Sequence, residues 1–208
     1  MNNPLISVII PSHNSEKTVS VAIHSIQEQT YKNLEIIIID DNSTDGTGKI
    51  VSQIIQQDKR VSYYKLPYDD PNRFNKRGRN INAGYMARNY GLEKARGEWI
   101  TFQDADDASL RNRIEAEYIL AERYQSNHIC VQWCQLTDAR LGASFNFEQA
   151  IKENPGIVTR SEDIAKLAKK TRGFAMRFLG KKRSLIPFEI KTMRIINKLF
   201  FATLDSYP

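Results

Sequence analysis

The stretch Leu34-Glu35-Ile36-Ile37-Ile38-Ile39-Asp40-Asp41 sets the fold class. From Leu34 to Ile39 it is short and β-branched, which suits a buried strand, and a polar Asp40-Asp41-Asn42 ends it. Upstream, Leu5 to Ile10 is a second such run, closed by Pro11. Between the two, Val19, Ala22, Ile23 and Ile26 recur at helical spacing over Ser15–Gln29, with Ser15 as the expected N-cap. Downstream, Gly46–Gln57 reads as a helix and Val61–Leu66 as a third strand. A polar loop over 67–81 follows, too long for a simple connector. Then come a helix over Asn82–Ala95, a strand over Glu98–Gln103, a helix over Leu110–Tyr124 and a strand over Ile129–Gln135. Strands alternating with helices imply parallel pairing through right-handed crossovers, hence an α/β class with an open, mostly parallel twisted sheet.

Past Thr137 the pattern weakens. Ser161–Lys170 reads as a helix capped by Ser161, with Glu162 and Asp163 in its first turn, and no clear strand is expected from Phe174 onward. The expected division is therefore an α/β half over 1–135 and a second, basic segment over 136–208.

The 208 residues suffice for one domain, and 41% hydrophobic with 26% charged residues describe a chain that buries a core. No apolar run approaches the length of about 18 residues that a spanning helix needs. The opening MNNPLISVII lacks the charged start and cleavage site of a secretory signal. Cys130 and Cys134 are too few for a disulfide framework and, with only His128 nearby, make a poor zinc site. They read as reduced thiols of a cytoplasmic protein. The net charge of +6 is uneven: residues 160–208 carry 12 basic against 4 acidic side chains, the rest of the chain 18 against 20. A nucleic-acid binder would spread its charge differently, so no nucleic-acid partner is expected.

Ligands of an open parallel sheet bind outside the carboxyl ends of its strands. Three such ends are polar here: Pro11-Ser12-His13-Asn14, Asp40-Asp41-Asn42-Ser43 and Asp104-Ala105-Asp106-Asp107. Crowded carboxylates are costly unless a cation or hydrogen-bond donors compensate them. In extended chain Asp104 and Asp106 would lie on one side, about 6.6 Å apart, with Asp107 pointing elsewhere. Such a pair suits Mg²⁺ or Mn²⁺ and a diphosphate, or else Asp107 or Ser109 simply caps the next helix. Asp40 and Asp41 can accept the imide N–H of uracil, thymine or guanine, or can start an Asx-turn. Asp45 with Gly46-Thr47 reads as turn chemistry at a helix entry. Gly46-Thr47-Gly48-Lys49 is no phosphate loop, because Thr44 and Ile50 stand where Gly and Ser or Thr are required. No G-x-G-x-x-G follows the first strand, which argues against a dinucleotide cofactor.

Ile6 to Asn14, Ser25 to Tyr31, Leu34 to Thr47, Ala87 to Leu92 and Ala95 to Asp107 together resemble family 2 glycosyltransferases of the GT-A fold, in order and spacing over roughly residues 5–120. The resemblance implies an inverting, metal-dependent transfer of a sugar from a nucleotide diphosphate donor, with a uridine nucleotide expected, to an acceptor hydroxyl. It places Pro11, Ser12, His13 and Asn14 along the nucleotide pocket and Asp41, assisted by Asp40, on the base. Asp104, Ala105 and Asp106 fall on ribose or sugar and the metal, Mn²⁺ or Mg²⁺, with Asp106 the direct ligand. Arg88 falls where it can face the donor or be salt-bridged on its helix. Arg73, Lys76, Arg77 and Arg79 lie on the donor side, pairing with phosphate or forming a solvated face. The acceptor is expected to be a saccharide or lipid-linked, in polysaccharide or glycoconjugate synthesis.

The family supplies its catalytic base from a Glu-Asp or similar motif well after the paired acids. Here that leaves Glu162-Asp163, so Asp163 is a candidate base, although acids at a helix start need no catalytic reason. Thr192–Tyr207 resembles the segment that precedes the base, and the chain then stops. A truncated product or excised domain lacking its base is therefore an expectation, and donor binding without turnover, as an interaction or membrane-docking module, is the alternative. The basic, apolar stretch 174–204 reads either as a surface for anionic lipid at the inner face of a membrane or as core packing with solvated lysines. A sugar-1-phosphate nucleotidyltransferase would need a Gly-rich loop after the first strand, which Pro11–Asn14 does not provide.

Overall fold

The computed structural model describes residues 3–69, 74, 76–78, 84–132, 137–138, 141–153, 155 and 176–181. Among these the elements run β1 (Ile6–Ser12), α1 (Val19–Gln27), β2 (Leu34–Asp40), α2 (Thr47–Gln57), β3 (Val61–Lys65), α3 (Tyr85–Lys94), β4 (Trp99–Phe102), α4 (Arg113–Arg123), β5 (His128–Gln132), α5 (Phe147–Glu153) and β6 (Met176–Lys181). The sheet order is β3-β2-β1-β4-β6-β5. β1 pairs in parallel with β2 and β4, and β2 with β3, so the open α/β sheet is present as expected. β6 runs antiparallel to both β4 and β5.

Both faces of this sheet are covered, and that is what the isoleucine run requires. Ile36 and Ile38 pack with Ile6, Val8, Ile10, Val19, Ile23, Val51, Ile54 and Ile114 on the face carrying α1, α2 and α4. Ile37 and Ile39 pack with Ile9, Ile100, Ala87 and Ala95 on the face carrying α3. Each fully buried isoleucine contributes about 1.5–3 kcal/mol relative to exposure. α3 lies close to the sheet because Gly91 has no side chain: a Cβ there would stand 2.4 Å from Ile9 Cγ2.

The chain leaves β1 toward β2 on one side and reaches β4 on the other, so the strand order reverses at β1. Crossovers through α1 and α2 cover one face and the crossover through α3 covers the other, which opens a crevice at the carboxyl ends of β1, β2 and β4. Register sets Ser12 beside Asp40 at its floor.

Three expectations are corrected. Ser15 is not the cap of α1, which starts at Val19 after Thr18 with no side-chain cap. Instead the Ser15 N–H donates to Thr47 Oγ1 (2.8 Å) and the Glu16 N–H to Asp45 Oδ2 (3.1 Å), so distant residues hold this entry as a turn. α4 starts at Arg113 after Asn112, and neither Asp107 nor Ser109 caps it. The stretch from Phe174 does contain a strand: Met176–Lys181 lies between β4 and β5, with Ile100 opposite Gly180. The remainder of 174–204, the expected helix at 161–170 with Asp163, and Cys134 lie outside the described residues. Among the described residues no helix is long and apolar enough to cross a membrane.

Candidate functional site

The loop after β1 is stitched to the loop after β2. The Asp41 N–H donates to the Ser12 carbonyl (2.7 Å), and His13 Nδ1–H donates to the Asp41 carbonyl (2.6 Å). That fixes the histidine tautomer, leaving Nε2 to accept from Asn14 Nδ2 at 3.4 Å. Asn14, at φ 50°, accepts the Thr44 N–H through Oδ1 (2.8 Å), and its own N–H donates to Ser43 Oγ (2.9 Å). Asp45 does the turn work expected of it: Oδ1 accepts from the Thr47 N–H and hydroxyl. Although burial opposes it, these bonds hold the Asp45 carboxyl below its usual range.

Asp40 and Asp41 are both buried but are held differently. Asp40 is 2% exposed, and both of its oxygens are engaged within the fold, Oδ1 by the Ser43 N–H (2.8 Å) and Oδ2 by the Tyr63 hydroxyl (2.5 Å). Burial and this bond to Asp40 push the Tyr63 hydroxyl well above the usual tyrosine range. Asp41, 5% exposed, is fastened through its backbone to both loops. Ser12 is 3% exposed, and among the described residues its hydroxyl is buried without a hydrogen-bond partner.

The acids after β4 are arranged by a turn. β4 ends at Phe102, so extended geometry does not reach them. The Asp107 N–H donates to the Asp104 carbonyl (3.2 Å), and the Ala105 methyl, 6% exposed, is packed into the α1–α2–α4 core. The chain therefore folds back, and one carboxylate oxygen from each of Asp104, Asp106 and Asp107 lies within 4.8 Å of the others. Asp107 does not point elsewhere, as extended chain would have it; it completes the cluster. Oxygens sharing an octahedral cation with bonds of about 2.1 Å stand about 3.0 to 4.2 Å apart, so small side-chain rotations bring these three into range. An all-carboxylate set matches Mg²⁺ or Mn²⁺.

Arg88, in the first turn of α3, donates through Nη2 to Asp104 Oδ1. Its guanidinium also lies 5.8 Å from the Phe102 ring centroid, a cation–π contact. Gly84 starts this helix at φ 74°, and a Cβ there would meet Arg88 Nη1 at 3.0 Å and Pro11 Cβ at 3.1 Å. Pro11, Gly84, Arg88 and Asp104 are thus neighbours. The structure brings together Pro11 to Asn14 with Asp40 and Asp41, and Arg88 with the acid turn. Lys76 and Arg77 are exposed; Arg73, Arg79 and Asp163 lie outside the described residues. Sequence reasoning missed Asp107 and Gly84. A glycine ahead of a helical stretch was the available signal for the second.

The family model described as "Glycosyl transferase family 2" matches residues 7–202. An "Uncharacterized glycosyltransferase" of Haemophilus influenzae is 38% identical over 139 residues, 65% of this chain and 50% of that protein. A "GalNAc(5)-diNAcBac-PP-undecaprenol beta-1,3-glucosyltransferase" of Campylobacter jejuni is 41% identical over 107 residues, 51% of this chain and 31% of that protein. The chain thus spans half or less of the length of these relatives. Among solved structures, S. aureus TarS 1–349 in complex with UDP covers 95% of this chain and 53% of its own at a TM-score of 0.63 and 18% identity. The mannosyltransferase PcManGT from Pyrobaculum calidifontis, in complex with GDP-Man and Mn²⁺, covers 89% of this chain and 47% of its own at 0.55 and 18%. At such identity these two speak for the GT-A fold alone. With the family model spanning nearly all of it, the chain belongs to glycosyl transferase family 2.

Proposed function

We propose that this chain carries the donor site of a glycosyltransferase that moves a sugar from a UDP-sugar to an acceptor hydroxyl with inversion. The observation that carries the reading is the convergence of Asp104, Asp106 and Asp107 beside Arg88 in the switch-point crevice. Asp41 accepts the imide N–H of the base, while Asp40, already engaged by Ser43 and Tyr63, keeps the loop in shape. The orphaned Ser12 hydroxyl and the segment through His13 and Asn14 line the nucleotide. Asp106, with Asp104, would hold a divalent cation, Mn²⁺ or Mg²⁺, which when bound would supply positive charge to offset that of a leaving diphosphate. Arg88 adds a fixed positive charge on the same side.

In the transfer the acceptor oxygen attacks the anomeric carbon from the face opposite the leaving group. Its O–H proton passes to a carboxylate base, the anomeric C–O bond breaks, and the nucleotide diphosphate departs with the electron pair. Asp163 is the candidate base. Membership of glycosyl transferase family 2 supports a nucleotide-sugar donor, and the acid turn supports a divalent ion. The undecaprenol-linked substrate in the name of the Campylobacter relative supports a saccharide or lipid-linked acceptor. The part of 174–204 outside β6 would make the contact with the inner face of a membrane.

Calorimetric titration with UDP, GDP, TDP and CDP, each with Mn²⁺ and with EDTA, tests the site. Metal-dependent binding of UDP, weakened at least tenfold in Asp106→Ala, is the expected result. Absence of binding by every nucleotide overturns the reading, and binding without sugar transfer would leave a donor-binding module.

A further inference from the structure

The acid turn is fastened from beneath by buried groups that carry no charge toward the crevice. Gln103, 0% exposed, extends the pairing of β4 by donating its N–H to the Ile9 carbonyl (3.0 Å). Its side chain then bridges the turn. Nε2 donates to the Asp104 carbonyl (3.2 Å), and Oε1 accepts the Ser109 hydroxyl (2.6 Å). Ser109, 6% exposed, accepts in turn from Arg113 Nε (2.8 Å) and donates its N–H to Ser25 Oγ on α1 (3.1 Å). The Arg113 guanidinium spans from Thr101 Oγ1 on β4 (2.9 Å) to the Glu117 carboxylate on α4 (3.1 Å). Both ends of the span 104–108 are thus tied to β4, α1 and α4.

Three carboxylates held within 4.8 Å repel one another, and a turn closed by a single backbone hydrogen bond would splay. A buried amide side chain is itself costly unless every bond is made, so an apolar residue would serve the core better at 103. We propose that Gln103 and Ser109 are positioning residues: their mutual hydrogen bond clasps the acid turn and holds Asp104, Asp106 and Asp107 at cation-binding separation against their repulsion. The inference rests on the cation of the proposed donor site, and not on which nucleotide that site binds.

The test compares the full chain with Gln103→Leu, Ser109→Ala and the hydroxyl-retaining Ser109→Thr. Binding of Mn²⁺ alone is read by electron paramagnetic resonance, UDP binding in Mn²⁺ by calorimetry, and backbone exposure of 104–109 by hydrogen exchange. Gln103→Leu and Ser109→Ala should each weaken Mn²⁺ about tenfold and speed exchange at 104–109, with Ser109→Thr restoring both. A purely structural role would lower the melting temperature while leaving Mn²⁺ affinity at the parent value, and that result overturns the proposal. So does a parent chain that binds no Mn²⁺. A parent that binds Mn²⁺ but no nucleotide sinks the donor reading alone, and the clasp is still decided by the Mn²⁺ series. Should Gln103→Leu not fold, the Ser109 pair decides.

Discussion

Arg88 on α3 and Asp104 after β4 form an ion pair that joins the two sides of the crevice, with the side chains 16% and 37% exposed. One of the three carboxylates that can meet a cation is therefore already shared with a cation of the protein. In the proposed donor site Arg88 and a metal ion would compete for Asp104, while both would act together on a diphosphate.

Replacing Arg88 by Met should separate those two effects. At this exposure the ion pair is worth up to about 1 kcal/mol, so Mn²⁺ alone should bind about threefold more tightly. UDP with Mn²⁺ should bind about tenfold more weakly, because a charge-assisted bond to phosphate is lost. Calorimetry of both ligands checks the opposite signs; equal shifts in one direction would contradict the arrangement.

Gly91→Ala tests how closely α3 must lie on the sheet. The added Cβ would press on Ile9 Cγ2 at 2.4 Å and Ile39 Cγ1 at 3.3 Å, within the core of that face. Overpacking of this kind costs about 1–3 kcal/mol. Since α3 carries Arg88, urea unfolding and UDP affinity should decline together, whereas a change on the outer face of α3 should leave both alone.

Glu35 governs acid stability at the far end of the sheet. Although burial works to raise it, its bonds from the Ser7 hydroxyl and from the backbone and side chain of Arg96 hold its carboxyl below the ordinary 4.5. The Ser7 bond is 2.5 Å and the Arg96 N–H bond 2.6 Å, and Gly97 adds an N–H at 3.1 Å. A folded-state pKa below the unfolded one means that the carboxylate form stabilises the fold above about pH 4.5. That contribution is lost as pH falls through the folded value. The Arg96 side chain is 79% exposed, so the buried backbone donors matter more than the ion pair. Glu35→Ala should cost about 3 kcal/mol at pH 7, and the cost should shrink as pH is lowered below 4.5, measured by urea unfolding across that range.

Tyr31 should limit stability in alkali. Burial, reinforced by Tyr118 and Glu98, pushes its hydroxyl up to about 12, and that hydroxyl donates to the Pro4 carbonyl at 2.5 Å. With the folded value above the unfolded one, the stabilisation is full below pH 10 and declines as pH rises toward 12. Ultraviolet titration should show Tyr31 ionising with unfolding, and Tyr31→Phe should flatten the alkaline limb.

What was legible in the sequence was what neighbouring residues decide. Leu34–Asp40 and Ile6–Ser12 announce buried parallel strands because β-branched residues on both faces have no other use, and the acids that follow mark the carboxyl ends. What escaped depends on distant partners. The helix after Ser15 is delayed to Val19 because Asp45 and Thr47 claim the N–H groups that a cap would serve. Asp107 joins its neighbours only because Ala105 is drawn into the core and reverses the chain. Gln103 looks like the last residue of a strand until Ser109 is folded over it. β6 gives no local signal, since its register is set by β4 and β5, far earlier in the chain.

The placement of β6 bears on how the protein is made. β4, the strand that launches the acid turn, has β1 on one side and β6 on the other, and β6 is not complete until residue 181. While the ribosome is still adding the intervening residues, β4 presents a bare flank of N–H and C=O groups beside the β1–β3 sheet, and β5 lacks the strand that joins it to β4. Such a flank can recruit strands from neighbouring nascent chains. Closing it needs contacts across some eighty residues, a slow step by loop-closure entropy. Expression yield, more than the stability of the finished molecule, should therefore respond to changes in Met176–Lys181.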